Sequence, residues 1–383
     1  MIRSRRNFLK TPVLLGSSLG LPALLGACGG GGGAGETPSP PPPNPPTTPA
    51  SLWRMPDEGE PHRATWMAFA AAPAVWGGQA PAVRAALARI AAAIVQVEPL
   101  KMLVAPQDLA LARGLLDPRI QLIEQDCDDL WLRDSGAVFV KNAQGQLGAC
   151  DFHFNGWGHK QAHAKDALLA AAMARQTQAT PLNGGLVIEG GAIEVDGRGT
   201  AIITESCVLN ANRNPGLGKA ACEAELMRLL GLRKIIWLPG IAGRDITDGH
   251  TDFYARFAGP GVVIANNDLD PNSYDHAVTR RHLEILRAAT DAEGKPLQIV
   301  TLEPPSQVRA PYARQGDFAA GYINFYLAQG TVFVPEFGDV AADTLARQRL
   351  AEVFPQRQVV QLNIDAIAAG GGGIHCCTQQ EPA

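Results

Sequence analysis

From residue 62 onward the apolar and polar positions repeat one order of elements: strand, turn, strand, helix, strand. The repeat length is roughly 50 to 65 residues. In the clearest unit, segments 191–195 and 200–204 face each other across Asp196-Gly-Arg-Gly199, a hairpin signal with glycines where positive φ is needed. A helix over 219–230 and an apolar strand over 234–238 follow. The preceding unit reads as strands at 136–140 and 147–154 around a turn at 142–145, then a helix near 163–175. Two further copies come later. One has strands at 253–257 and 262–265 turning at Gly259-Pro-Gly261, a helix near 274–289 and a strand at 297–302. The other has strands at 322–327 and 331–334 turning at Gln329-Gly330, a helix near 341–353 and a strand at 358–364. An incomplete first unit has a strand at 64–70, an alanine-rich helix near 81–97 and a strand at 101–105. The pattern therefore predicts an α/β fold. Set around an axis, about five ββαβ-like units would make an α/β propeller, in which segments distant in sequence meet at the centre. The same order also fits an ordinary α/β or α+β domain.

Composition adds bounds. The 383-residue chain is 46% apolar and 18% charged, enough to bury a sizeable core. A net charge of −4, with no cluster of Lys and Arg in the body of the chain, offers nucleic acid no basic field, so no nucleic-acid partner is expected. The N-terminus reads as an address rather than as part of the fold. Ser4-Arg5-Arg6-Asn7-Phe8-Leu9-Lys10 fits the twin-arginine export pattern and precedes a weakly apolar run interrupted by Gly16, Gly20 and Pro22. Leu25-Gly26-Ala27-Cys28 resembles a bacterial lipobox, which would leave Cys28 as a lipidated N-terminus. The expected organisation is a signal over 1–28, a Gly- and Pro-rich tether over 29–51 and one domain over 52–383. The protein is expected to be exported and held at the cell envelope or periplasm by a lipid anchor in the membrane. Six further cysteines, at 127, 150, 207, 222, 376 and 377, form no CxxC pair, so a zinc cluster is not expected and at least one thiol needs another explanation.

The placement of polar residues within the units supplies one. Asp134 precedes the hairpin of one unit, Glu189 that of the next, and His250 with Asp252 that of the third; Cys376 follows the last strand in a glycine-rich stretch. Singly, each has a plain structural account as a cap, a turn residue or a satisfied buried group. Their repetition at equivalent corners argues for a site. A Cys with a His points to nucleophilic catalysis, the thiolate attacking an electrophilic carbon and the imidazole handling protons. Three surrounding carboxylates select the substrate, because a planar guanidinium cation is matched by carboxylates that accept paired N–H bonds.

Several segments carry a resemblance: Trp131-Leu-Arg-Asp-Ser-Gly136, Ile188-Glu-Gly-Gly191, Thr247-Asp-Gly-His-Thr-Asp252 and Gly371-Gly-Gly-Ile-His-Cys376, with Met55-Pro-Asp-Glu58, Ala64-Thr-Trp-Met67, Leu209-Asn-Ala-Asn-Arg-Asn-Pro215 and Thr378-Gln-Gln380. Together they resemble the agmatine deiminase and bacterial, Porphyromonas-type peptidylarginine deiminase family over essentially all of 52–383. The resemblance implies the family's five-bladed, pentein-type α/β propeller with pseudo-five-fold symmetry. It further implies that Cys376 is the nucleophile forming a covalent amidino intermediate, and that His250 protonates departing ammonia and then activates water. Asp134 and Asp252 would clamp the guanidinium, Glu189 would support His250, and Trp131 would pack on the substrate's methylene chain. Trp66 and Trp157 match family positions and are candidate pocket walls. No metal or organic cofactor is implied. The chain departs from the family at Gly373, where Asn is common, and at Ala137, where Pro is frequent.

The expected partner is a small guanidine substrate, agmatine-like or arginine-like. The segment Phe154-Asn-Gly-Trp-Gly-His-Lys160 looks like the agmatine type and lacks the arginine expected of enzymes acting at C-terminal arginine. Export to the envelope pulls the other way and leaves an extracellular guanidine or a peptide substrate open. A lipid-anchored protein that binds cationic amines without chemistry would share the acidic residues, but has no use for Cys376 with His250.

Overall fold

The computed structural model describes residues 52–383 apart from 314, 316 and 317. The expectations for the signal, the tether and Cys28 lie outside the described residues. No described helix is long and apolar enough to cross a membrane.

The strands fall into five separate sheets that share one plan, which makes this an α/β fold. In each sheet a first strand runs antiparallel to a middle strand, and the middle strand runs parallel to a third. The parallel step needs a crossover, and a helix supplies it. The clearest unit has Ile193–Val195, Thr200–Thr204 and Lys234–Leu238, with the helix Lys219–Leu230 between the last two. The next has Ala255–Gly259, Val262–Asn266 and Gln298–Leu302 with the helix His276–Ala288. The last has Tyr326–Ala328, Thr331–Glu336 and Gln358–Asn363 with the helix Val340–Val353. The unit before the clearest one has Val138–Asn142, Leu147–Asp151 and Thr180–Asn183 with the helix Leu169–Thr177, and Trp53–Arg54 adds a short edge strand.

The first unit is complete in the structure. His62–Ala68 and Leu100–Val104 pair in parallel around the helix Ala80–Ile94, and Gln121–Glu124 extends the sheet. Its antiparallel first strand comes from the far end of the chain, Gln379–Pro382 pairing with His62–Trp66. The C-terminus thus holds the first unit, and the residues just before it are fixed by that pairing.

In the other four units the opening strand begins two or more residues later than the apolar pattern predicts. Single turns of 3-10 helix occupy Gly190–Ala192, Thr251–Phe253 and His375–Cys377, and a four-residue helix occupies Leu132–Ser135. These turns carry Asp134, Asp252 and Cys376, and Glu189 and His250 stand immediately before theirs. The crossover helices bury one apolar face each, as Val83, Leu87, Ile90 and Ile94 do on Ala80–Ile94, and so close the outer layer over the strands.

Candidate active site

Five unit-opening corners converge. From them come Asp134, Glu189, His250 with Asp252, Asn324, and Cys376, all buried. Four of these corners follow the expectation; Asn324 was not anticipated. It sits in the run Tyr322-Ile-Asn-Phe-Tyr326, just before the opening strand of its unit as the others are, and that placement is the signal that could have found it. Its amide donates to Cys376 Sγ across 3.3 Å, and its carbonyl oxygen accepts from the Cys376 backbone N–H at 3.3 Å.

His250 is the centre of the proton chemistry available here. Its Nε2 lies 3.1 Å from Glu189 Oε2 and its Nδ1 lies 3.5 Å from Asp134 Oδ1. Burial opposes a charge on the ring, but Asp134, Cys207 and Glu189 push its pKa well above the ordinary imidazole value. Arg213 stands behind Glu189, its Nε 2.9 and 3.0 Å from the two carboxylate oxygens, and its Nη1 reaches Asp248 Oδ2 at 2.7 Å. Lys160 Nζ donates to the same Asp248 oxygen at 2.7 Å. Burial works against the charge of Glu189, yet Arg213 and His250 hold its carboxyl at about 2.

Asp134 is held on both oxygens. Trp157 Nε1 donates to Oδ2 at 2.9 Å and the Gly191 N–H to Oδ1 at 3.3 Å. Trp157 reaches it from a left-handed backbone, φ 57°, and Asp248 has φ 62°; such conformations cost about 1–3 kcal/mol in a non-glycine residue and persist where surrounding contacts fix them. Asp252 Oδ2 lies 2.8 Å from His375 Nδ1 and 3.6 Å from Cys376 Sγ, whereas its Oδ1 has no hydrogen-bond partner among the described residues. Burial opposes the Asp252 charge, and His375 nevertheless holds the carboxyl at about 2. Gly191 forms the floor between these groups. A Cβ there would lie 2.6 Å from Asp134 Oδ1, 2.7 Å from His250 Nδ1 and 3.1 Å from Asp252 Oδ2, so only glycine lets the three approach.

The aromatic expectations divide. Trp131 adjoins the Asp134 helix, anchors its indole N–H on Asp129 at 2.9 Å and packs against Trp76. Trp157 touches Asp134 as described. Trp66 stands apart: its indole N–H donates to Glu381 Oε2 at 2.7 Å, Lys101 lies over its ring, and it packs with Leu103, Ile123 and Phe139. The structure therefore makes it a strand-core residue rather than a wall of this site, because its polar edge is committed to the C-terminal strand. Cys377 shares the 3-10 turn of Cys376 and has its Sγ on Gly373 O at 3.2 Å. Cys127, Cys150, Cys207 and Cys222 are free thiols. Among the described residues, Glu189, Cys207 and His250 place possible metal donors within 4.8 Å of one another. The Arg213 guanidinium already occupies both Glu189 oxygens, and its charge opposes a second cation there.

A cavity of about 500 Å³ opens beside His250 and Gly371. Asp245, Asp268, Asp270, Asp275 and Glu303 line it, with no Lys or Arg among its lining residues. The arrangement can hold a planar cation against two carboxylates, attack it with a thiol and exchange a proton through His250.

Known proteins match this chain. The Porphyromonas-type peptidyl-arginine deiminase family matches residues 54–382. A Streptomyces coelicolor protein provisionally named as an agmatine deiminase is 41% identical, covering 86% of this chain and 98% of its own. The agmatine deiminase of Stutzerimonas stutzeri is 37% identical, covering 86% and 95%. The solved agmatine deiminase of Enterococcus faecalis superposes with a TM-score of 0.82 at 32% identity, covering 86% of this chain and 96% of its own. On the strength of its sequence, its fold and these converging corners, the chain belongs to the Porphyromonas-type peptidyl-arginine deiminase family.

Proposed function

We propose that the protein hydrolyses the guanidinium of agmatine, giving N-carbamoylputrescine and ammonia through a covalent intermediate on Cys376. The observation that carries this reading is the pairing of a buried thiol with an unsatisfied carboxylate oxygen: Cys376 Sγ lies 3.6 Å from Asp252, whose Oδ1 has no partner among the described residues. A buried carboxylate oxygen left unpaired is costly, and a guanidinium N–H would satisfy it. Asp134 would take the opposite edge of the cation, with Trp131 and Trp157 as apolar walls.

The thiolate of Cys376 attacks the guanidinium carbon, forming the S–C bond. His250, cationic because Asp134 and Glu189 flank it, gives a proton to the departing nitrogen as the C–N bond breaks, and ammonia leaves. The now neutral His250 takes a proton from water as its oxygen bonds to the amidino carbon. The C–S bond then breaks and the thiolate returns, the new hydroxyl gives up its proton to solvent, and the neutral ureido product leaves with His250 cationic again. Glu189, fixed by Arg213, orients the ring and supports its charge.

The acidic cavity supports agmatine over arginine. Agmatine ends in an ammonium, which five carboxylates would attract, whereas the carboxylate of free arginine would meet like charge. The family's name and the expected export favour the second reading, a peptidyl arginine in the envelope, whose chain would run out through the same cavity. We also propose that the five units close around a pseudo-five-fold axis as a propeller; the completion of the first unit by Gln379–Pro382 supports this. From the sequence alone we propose that residues 1–28 export the protein and that Cys28 anchors it. Palmitate labelling of the full chain, lost on Cys28→Ala, tests that.

Ammonia release by the purified protein, offered agmatine, arginine and a C-terminal-arginine peptide beside a Cys376→Ala control, tests the function. Agmatine turnover lost in the control supports the first reading; peptide turnover alone supports the second. Tight binding of agmatine without ammonia would leave a cationic-amine-binding protein.

A further inference from the structure

Beneath Asp252 lies a buried polar cluster that the proposed reaction does not use. His375 bridges two carboxylates: its Nδ1 lies 2.8 Å from Asp252 Oδ2 and its Nε2 lies 2.9 Å from Glu58 Oε2. Glu58 is itself fixed on both oxygens. Arg256 Nη2 donates to Oε1 at 2.7 Å, the Leu327 N–H to the same oxygen at 2.9 Å, and Arg133 Nη2 to Oε2 at 3.0 Å. Arg133 also donates to Gln380 Oε1 at 2.7 Å and Arg256 to the Phe325 carbonyl at 2.7 Å. Glu58, Arg133, Arg256 and His375 come from four distant parts of the chain, and none is more than 7% exposed.

The cluster matters because an aspartate carboxylate turns easily about its terminal torsion, which is broad and two-fold. Free to turn, Asp252 could present either oxygen, or both, to a cation. A ring anchored at Nε2 on the fixed Glu58 carboxylate keeps hold of Asp252 Oδ2 at Nδ1 and so resists such a rotation.

We propose that His375, braced by Glu58, is the positioning residue that aims Asp252, retaining Oδ2 and leaving Oδ1 to meet the planar cation of the substrate. This rests on the reading that Asp252 holds a guanidinium. The expected consequence is selectivity of the site for planar cations, over and above the reactivity of the thiol.

The test separates those two quantities on the purified full-length protein, using two alkylating reagents for Cys376. Chloroacetamidine carries a planar amidinium; iodoacetamide is neutral and similar in size. The ratio of their alkylation rates reads the aim of Asp252 without requiring turnover. His375→Phe keeps a ring but loses both polar contacts, while His375→Asn keeps a donor toward Asp252. The expected result is that His375→Phe lowers the ratio about tenfold or more, the scale of one lost charge-assisted hydrogen bond, and that His375→Asn recovers most of it. The neutral reagent should react within about threefold of the parent rate in both, on the same scale of lost contacts. An unchanged ratio in His375→Phe overturns the proposal. So does a ratio equally low in His375→Asn, or a parallel loss of both rates, each of which marks His375 as packing only. Guanidine turnover by the parent is measured separately, so a failure of the proposed reaction appears there and the ratio still decides the role of His375.

Discussion

Asn324 and Cys376 lie 52 residues apart in sequence and grip each other from both sides: the Asn324 amide donates to the thiol sulfur while its carbonyl oxygen accepts from the Cys376 backbone N–H. A donor aimed at sulfur favours the thiolate. Replacing Asn324 with Asp would put a carboxylate in its place, with the opposite effect. The midpoint of the pH profile for Cys376 alkylation by iodoacetamide should rise, and the rate at neutral pH should fall about tenfold or more, since one pKa unit is a factor of ten. An unmoved midpoint would show that Asn324 does not tune the thiol.

Asn324 also shows where reading the sequence stops. Asp134, Glu189, His250, Asp252 and Cys376 are ionisable or nucleophilic groups, whose repetition before strands needs a reason; Asn324 stands in an apolar run, where one amide has an ordinary account as a buried, satisfied group. Trp66 failed the other way, since motif position alone could not show that its indole belongs to Glu381. The helix Lys219–Leu230 and the strands Thr200–Thr204 and Lys234–Leu238 match the apolar pattern residue for residue because their periodicity is local. Gln379–Pro382 was invisible as a strand: Gln-Gln-Glu-Pro has no alternation, and its partner lies more than 300 residues away. The cluster around Glu58 was hidden for the same reason, its partners being 75 to 317 residues distant.

His250 is pushed up by Asp134 and Glu189, so Glu189→Gln should let its pKa fall. As the general acid, His250 must be protonated, and the alkaline limb of the pH–kcat profile should therefore move to lower pH. A loss of kcat of about 100-fold is expected at neutral pH. A profile that keeps its alkaline limb would show that Glu189 does not support the ring's charge.

The same groups link stability to pH. Glu189 and Asp252 titrate at about 2 in the fold, below the ordinary carboxylate range near 4. Their contribution is fully present above that range and is lost as pH falls through about 2. His250 acts in the opposite sense: its raised pKa contributes stability fully below about 6.5, lost as pH climbs through the raised value. Urea midpoints should therefore drop on acidification from pH 5 to 3 less steeply in Asp252→Asn than in the parent. On the alkaline side, the decline from His250 should be absent in His250→Asn.

Gly191→Ala should abolish turnover without unfolding the protein. The added methyl would meet Asp134 Oδ1 and His250 Nδ1 inside 3 Å and fill the floor where the cation is held. We expect activity down at least about 100-fold, in the range of misplaced reacting groups, with Tm lowered by only a few degrees. Normal turnover in this variant would mean that the cation sits elsewhere.

The most direct test of the account is mass spectrometry of the protein quenched in acid during turnover of agmatine, followed by peptide mapping. The account predicts an adduct with the mass of agmatine less ammonia on the peptide containing Cys376, located on Cys376 rather than Cys377, and absent from Cys376→Ser. Turnover with no adduct at Cys376, or turnover retained in Cys376→Ser, would contradict it.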